Sequence, residues 1–280
     1  MAALRAEMEA SGGDRSRQAM LAYEVGRTIE DGGGGEAAAV REYLGAYNLD
    51  PSFRPPLFEL VRMFERRRSF KNLARLYEAE LKSATTPNQR ATASIDRASL
   101  LEDHLGQPDA AAALFEQALV DDPDGVAAFL MLERRARMQN DATGATKALE
   151  GLAAHTKTPG LRTILMIELA RERERAGDGD GAIEVLREAV RVGPDERPRA
   201  LRALEDVARK LGRAPELVAA LEARAAIAAA AGDTADAVAA LLEAARARLD
   251  RLGDAEGARD TIDRALAIDP HEPALRRAHM

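Results

Sequence analysis

The stretch GQPDAAAALFEQALVDDP, residues 106–123, decides how this chain folds. Its skeleton is Gly106, Ala111, Phe115, Ala118 and Pro123. The same spacing returns as Gly34-Ala39-Tyr43-Ala46-Pro51, Gly177-Ala182-Leu186-Ala189-Pro194 and Gly253-Ala258-Ile262-Ala265-Pro270. The closing prolines are spaced by 72, 71 and 76 residues. A fixed period of this kind predicts a solenoid, in which each unit buries its apolar face against its neighbours. Helix geometry assigns the roles. The glycine ends a first helix, where a left-handed residue closes the turn without steric cost. The two alanines, seven residues apart, share one face of the second helix and let a neighbour approach closely. The large residue between them fills the groove. The proline ends the helix, because it cannot donate a hydrogen bond, and it holds the residue before it extended.

Working outward, apolar spacing is helical between the Gly and Pro punctuation. The pattern predicts helices over Pro55–Arg68, Phe70–Lys82, Arg90–Leu105 and Pro108–Val120. They recur over Val126–Gln139, Thr143–His155, Leu161–Arg175 and Gly179–Val192, then over Arg199–Leu211, Pro215–Ala230, Thr234–Leu252 and Ala255–Ile268. Short connections make consecutive helices antiparallel. Each period is then two helix hairpins. The expectation is one array over residues 1–280, with units 1–51 (partial), 52–123, 124–194, 195–270 and the start of another at 271–280. Met1–Glu9 reads as the tail of a second helix, and His271–Met280 as an opening that does not finish, with Glu272 and Pro273 at its start. Both ends are therefore expected to be cut mid-period, as in a window from a longer repeat protein.

Composition agrees. The chain of 280 residues is 46% apolar but only 4% aromatic, so Ala and Leu, the strongest helix formers, must build the core. A formal net charge of −7 argues against a general nucleic-acid or anionic-membrane binder. There is no cysteine, which excludes disulfides, zinc knuckles and thiol nucleophiles. No apolar run is long enough to span a bilayer, and the N-terminus is not a secretory signal, so a cytoplasmic location is the default.

The Gly-Ala-large-Ala-Pro frame resembles the second half of the tetratricopeptide repeat. The endings ALVDDP at Ala118–Pro123 and ALAIDP at Ala265–Pro270 are especially similar to it. In the interleaved hairpins the turn residue is Arg68, Asn140 or Gly212. Their apolar positions are Leu73, Leu76 and Tyr77, then Ala145, Ala148 and Leu149, then Leu217, Ala220 and Leu221. The Trp typical of the family's first helix is missing. The resemblance implies an all-α, right-handed α-solenoid of antiparallel hairpins and a protein–protein interaction role.

Nothing in the sequence assembles catalytic chemistry, so no enzyme activity and no cofactor are expected. His104, His155, His271 and His279 share no metal-ligand spacing. Asp178-Gly179-Asp180-Gly181 lacks the Glu of a calcium loop and falls on an inter-helix turn. Gly32–Gly35 lacks the Lys and Ser/Thr of a phosphate loop. Asp121, Asp122 and Asp124 form a turn cluster. Arg66-Arg67-Arg68 ends a first helix, where cations complement the dipole.

The remaining candidate is the inner face. The resemblance implies that residues three, six and ten before each first-helix turn residue point into the groove. Six before gives Arg62, Leu100, Arg134, Arg171, Asp206 and Ala247. Ten before gives Phe58, Asp96, Leu130, Ile167, Arg202 and Glu243. Three before gives Glu65, Asp103, Arg137, Glu174, Arg209 and Asp250. Arginines mixed with carboxylates and apolar anchors suit an extended or helical peptide bearing acidic and apolar side chains. The alternative is that these charges pair across adjacent helices and only solvate the wall. The Lys and Asn pattern that clamps a peptide carboxyl terminus in some family members is absent. Three functional readings stay open: an adaptor for a protein or peptide partner, self-association through the ends, and the regulatory arm of an enzyme whose catalytic domain lies elsewhere. Nucleic acid and membrane are not expected partners.

Overall fold

The structure, a computed structural model, describes residues 2–271, and the described residues form helices joined by short turns, with no strand among them. In chain order the helices are α1 (Ala2–Ala10), α2 (Arg15–Asp31), α3 (Glu36–Leu49), α4 (Pro55–Arg66), α5 (Phe70–Ser83), α6 (Pro87–Asp103), α7 (Pro108–Asp121) and α8 (Val126–Gln139). They continue with α9 (Ala142–His155), α10 (Pro159–Arg175), α11 (Gly179–Val192), α12 (Arg197–Lys210), α13 (Ala214–Ala230), α14 (Thr234–Ala247) and α15 (Ala255–Ile268). A π-helical turn, Arg248–Leu252, prolongs α14. The chain divides into two compact units, Met1–Ala128 and Phe129–Met280. The expected opening at 272–280, with Glu272, Pro273 and His279, lies outside the described residues.

Within unit 1, α2 packs on α3, α3 on α4, α4 on α5, α5 on α6 and α6 on α7. In unit 2, α9 packs on α10 and each helix on the next through α15, while α10 also meets α12 directly. These are antiparallel helix hairpins, stacked side by side in each unit.

The repeated frame occupies the positions that its geometry requires. Ala39, Ala46, Ala111, Ala182, Ala189 and Ala265 have no exposed surface, and Ala118 and Ala258 are also buried. Tyr43, Phe115 and Leu186 are fully enclosed between them, and Ile262 is half-buried. Removing side chains of this size from water stabilises by about 1.5–3 kcal/mol each. The prolines stop their helices as expected. The residue before each is extended: Asp50 (φ −145°), Asp122 (φ −135°), Gly193 (φ −118°) and Asp269 (φ −135°). At Asp50, Asp122 and Asp269 the backbone N–H donates to the carbonyl of the frame's second alanine.

Gly106, Gly177 and Gly253 close their turns with φ of 62°, 83° and 66°. Gly34 does not. In that longer turn the left-handed residues are Gly33 and Gly35, and Gly34 instead donates its N–H to Ile29 at 2.8 Å. In the degenerate hairpins Arg68 (φ 52°) and Asn140 (φ 55°) adopt the left-handed conformation despite their side chains, because the turn demands it.

Two helices start earlier than the apolar spacing predicts, each at a proline. α6 begins at Pro87 rather than Arg90, and α10 at Pro159 rather than Leu161. Proline at the first position costs nothing, since that N–H has no intrahelical partner. Thr86 and Gln89 complete a capping box ahead of α6. The loop Asp178–Gly181 is also a cap: Asp178 accepts the Gly181 N–H at 2.9 Å. Asp141 and Asp254 repeat this contact with Gly144 and Gly257.

Candidate functional site: the first-helix face

The first helices of the hairpins are α2, α4, α6, α8, α10, α12 and α14. In unit 2 a recess of about 370 Å³ lies between α10 and α12, lined by Ile167, Arg171 and Glu174 on one side and Asp206, Val207 and Lys210 on the other. It continues past Arg199 and Arg202 into a second lobe of about 390 Å³ that shares Ile167, Arg171 and Asp206. Ile167 is buried in its floor. The structure thus brings together five of the expected positions, Ile167, Arg171, Glu174, Arg202 and Asp206, at one site.

Many of the expected charges are paired. Arg171 donates to Glu168 at 2.5 Å, Lys210 to Glu174 at 2.8 Å, and Arg209 to Asp206 at 2.9 Å and to Glu243 at 2.8 Å. Arg137 pairs with Glu133. In unit 1 Arg62 bridges Glu30 at 2.5 Å and Glu59 at 2.7 Å. The Arg62 guanidinium and the Tyr43 hydroxyl hold the Glu30 carboxyl below the usual carboxylate range. Pairing between adjacent first helices therefore accounts for Arg62–Glu30, Lys210–Glu174 and Arg209–Glu243. At exposed sites such pairs are worth about 0–1 kcal/mol. Arg199 and Arg202 are exposed, and their guanidinium groups make no hydrogen bond or ion pair with a described residue.

Counting back from the turn residue misplaces two helices. Most first helices close with a bond from the second helix's approach to a carbonyl five residues earlier: Ser69 to Phe64, Asp141 to Ala136, Asp178 to Arg173 and Arg213 to Ala208, each 2.8 Å. In α6 and α14 the closing bond spans six residues, Gln107 to Leu101 at 2.9 Å and Asp254 to Arg248 at 3.0 Å. One extra residue sits before each of those turns, and in α14 it is accommodated as the π-helical turn. The consequence shows in burial. Arg62, Arg134, Arg171 and Asp206 are exposed, whereas Leu100 and Ala247, at the same count from their glycines, are buried.

Aligned on the closing carbonyl, the row is Arg27, Arg62, Ser99, Arg134, Arg171, Asp206 and Arg246. All are exposed except the half-buried Ser99. Four residues earlier stand Tyr23, Phe58, Ile95, Leu130, Ile167, Arg202 and Leu242. Asp96 and Glu243 are one residue off these rows, and Asp103 and Asp250 are one residue past Glu102 and Leu249, which stand three positions beyond Ser99 and Arg246. The row positions that counting from the turn residues does not give are Tyr23, Arg27, Ile95, Ser99, Leu242 and Arg246. The signal was available as an apolar residue followed four positions later by Arg, in Tyr23–Arg27, Phe58–Arg62, Leu130–Arg134, Ile167–Arg171 and Leu242–Arg246. Residues so spaced share one face of a helix.

Asp96 instead lines a separate recess of about 370 Å³ in unit 1, with Arg54, Tyr77 and Glu80. Glu80 is buried; it accepts the Tyr47 hydroxyl at 2.5 Å and pairs with Arg54. Burial, reinforced by the bond to Glu80, pushes the Tyr47 phenol up to about 12. Enclosure and then the Glu80 charge raise the Asp96 carboxyl, although part of its surface stays open to water, which damps the effect. Asp103, Arg134 and Asp250 are exposed. Asp250 lines a small recess with Leu217, Glu243, Arg246 and Arg251. Among the described residues no group of His, Cys, Asp or Glu could hold a metal ion, and no helix is long and apolar enough to cross a membrane. His104 caps α6 and stacks on Phe70 at 3.9 Å, and His155 ends α9 stacked on Phe129.

The class these features define is a helical-repeat array of tetratricopeptide-like hairpins. No family model matches the chain, and no curated protein matches it. Among solved structures, the chain is similar to the C-terminal part of a TPR repeat-containing protein from Cytophaga hutchinsonii, with a TM-score of 0.44 and 14% identity, covering 92% of this chain and 99% of that one. A tetratricopeptide repeat protein from Parabacteroides merdae gives a TM-score of 0.42 and 14% identity, over 93% and 97%. YrrB, described as a TPR protein with an unusual peptide-binding site, gives 0.38 and 18%, over 67% and 91%.

Proposed function

We propose that the chain is a non-catalytic, cytoplasmic protein–protein interaction scaffold, acting as one segment of a larger protein and taking a protein or peptide partner on its first-helix face. The observation that carries this reading is the α10–α12 recess of unit 2. There an apolar floor at Ile167 lies among Arg171, Arg202, Asp206 and Glu174, so a partner side chain could be both desolvated and held by charge. Of the other expected positions, Arg62, Arg134, Arg137 and Arg209 extend the candidate surface within their own units, whereas Asp96, Asp103, Glu243 and Asp250 stand off its rows.

The test is affinity capture with the purified chain, followed by Arg134→Glu and Arg171→Glu. Both side chains are exposed, so the fold is expected to survive reversal. Loss of a specific partner from the reversed protein supports the reading. Retention of every partner moves the interface off this face.

A further inference from the structure

Building on the proposed partner-binding role, we infer that the first-helix face of unit 2 recognises an acidic–apolar segment. Apolar side chains of the partner lie along the row of Leu130 and Leu242, over the buried Ile167, and its carboxylates meet the guanidinium groups of Arg199, Arg202 and Arg246. Three of the four first helices of unit 2 carry an apolar–arginine pair, as Leu130–Arg134, Ile167–Arg171 and Leu242–Arg246. The extra residue before Gly253 is what brings Leu242 and Arg246 into register with the others, in place of Glu243 and Ala247. The fourth helix, α12, breaks the pair but not its charge. Arg202 stands in the apolar row and Arg199 one turn before it, both at the mouth of the recess.

Charge complementarity sets the sign of the partner. The carboxylates Glu168, Glu174, Asp206 and Glu243 are already held by Arg171, Lys210 and Arg209. Among the residues lining the unit 2 recesses, the cationic side chains with no hydrogen bond or ion pair to a described residue are those of Arg199, Arg202, Arg246 and Arg251. The carboxylates in the same state are Asp195 and Asp250. Free guanidinium groups thus outnumber free carboxylates two to one. Guanidinium groups pair bidentately with carboxylates, which gives direction as well as attraction. Alternation of Arg with Leu or Ile, rather than with stacked aromatic rings, favours an acidic protein segment over single-stranded nucleic acid.

The experiment is fluorescence anisotropy with the whole chain. The probes are a labelled peptide alternating Glu and Leu, the same peptide with Lys for Glu, and a single-stranded oligonucleotide. The Glu–Leu peptide is expected to bind, with affinity falling as salt is raised. Arg199→Glu with Arg202→Glu, or Arg246→Glu alone, is expected to weaken it by about tenfold. The paired Arg199→Lys and Arg202→Lys changes should keep most of the affinity. Arg191→Glu, on the exposed side of α11, should change nothing. Circular dichroism confirms that each variant keeps its helices. Preference for the Lys–Leu peptide or the oligonucleotide, failure of the Glu–Leu peptide to bind, or indifference to reversal at Arg199 and Arg202 overturns the inference. Because affinity capture with Arg171→Glu is read separately, a partner of different chemistry would sink the acidic–apolar assignment and leave the scaffold role standing.

Discussion

Ala118 offers the sharpest test of how these hairpins are held together. It is 1% exposed on α7 and sits in a cluster with Ala91 of α6 and Ala128 of α8. Three methyl groups meeting in one place leave no room for a longer side chain. Ala118→Leu adds three carbons to a filled contact, for which overpacking costs about 1–3 kcal/mol. Ala118→Arg adds a longer side chain still, and an ionised group with no partner built to receive it. The charge must either stay buried or force α6 and α7 apart, and either outcome brings the total to about 3–5 kcal/mol. Ala113→Arg is the control, since Ala113 lies on the exposed side of the same helix and should change stability by no more than about 0.5 kcal/mol. Urea unfolding followed by far-ultraviolet circular dichroism reads all three. Repeat arrays need not unfold in one step, so the transition assigned to unit 1 is the one to compare. A loss below about 0.5 kcal/mol for Ala118→Arg would refute the close-packed alanine contact.

Two further substitutions probe the turns and the buried charges. Arg68→Gly should stabilise by about 1 kcal/mol in thermal or urea unfolding, because Arg68 is held at φ 52°, where a Cβ is penalised and glycine is not. Arg224→Ala should destabilise unit 2 by about 3–5 kcal/mol near neutral pH, since it strips the buried Glu205 carboxylate of its 2.8 Å partner. Burial already raises the Glu205 carboxyl above its ordinary range even with Arg224 in place. A folded-state pKa above the unfolded value means that stability is kept at low pH and lost as pH rises through the folded pKa. The Arg224→Ala deficit should therefore shrink on acidification, and a deficit independent of pH between neutral and mildly acidic conditions would contradict the assignment.

What was legible in the chain was local. Glycine before a left-handed turn, alanines seven apart and proline after an extended residue each act through backbone geometry within a few positions. Hence Val126–Gln139, Gly179–Val192 and Ala255–Ile268 stand where the punctuation placed them. Even Arg68 and Asn140 could be named as turn residues from spacing alone, though neither is glycine. Helix starts at Pro87 and Pro159 were harder to read, because proline ends a helix in one position and opens it in another.

The face presented by each first helix was settled only by packing. An added residue before Gly106 and Gly253 leaves helix propensity and punctuation untouched, yet it rotates every earlier side chain by about 100° relative to the turn. Whether the chain absorbs it by turning the helix or by loosening its last turn depends on which side chains the neighbouring helices will bury. Leu100 and Ala247 went inward, and Arg246 outward, for that reason. Sequence determined where the hairpins begin and end, because those are properties of single turns. Tertiary structure decided which side chains each first helix leaves exposed, because that is a property of several helices competing for the same apolar surface.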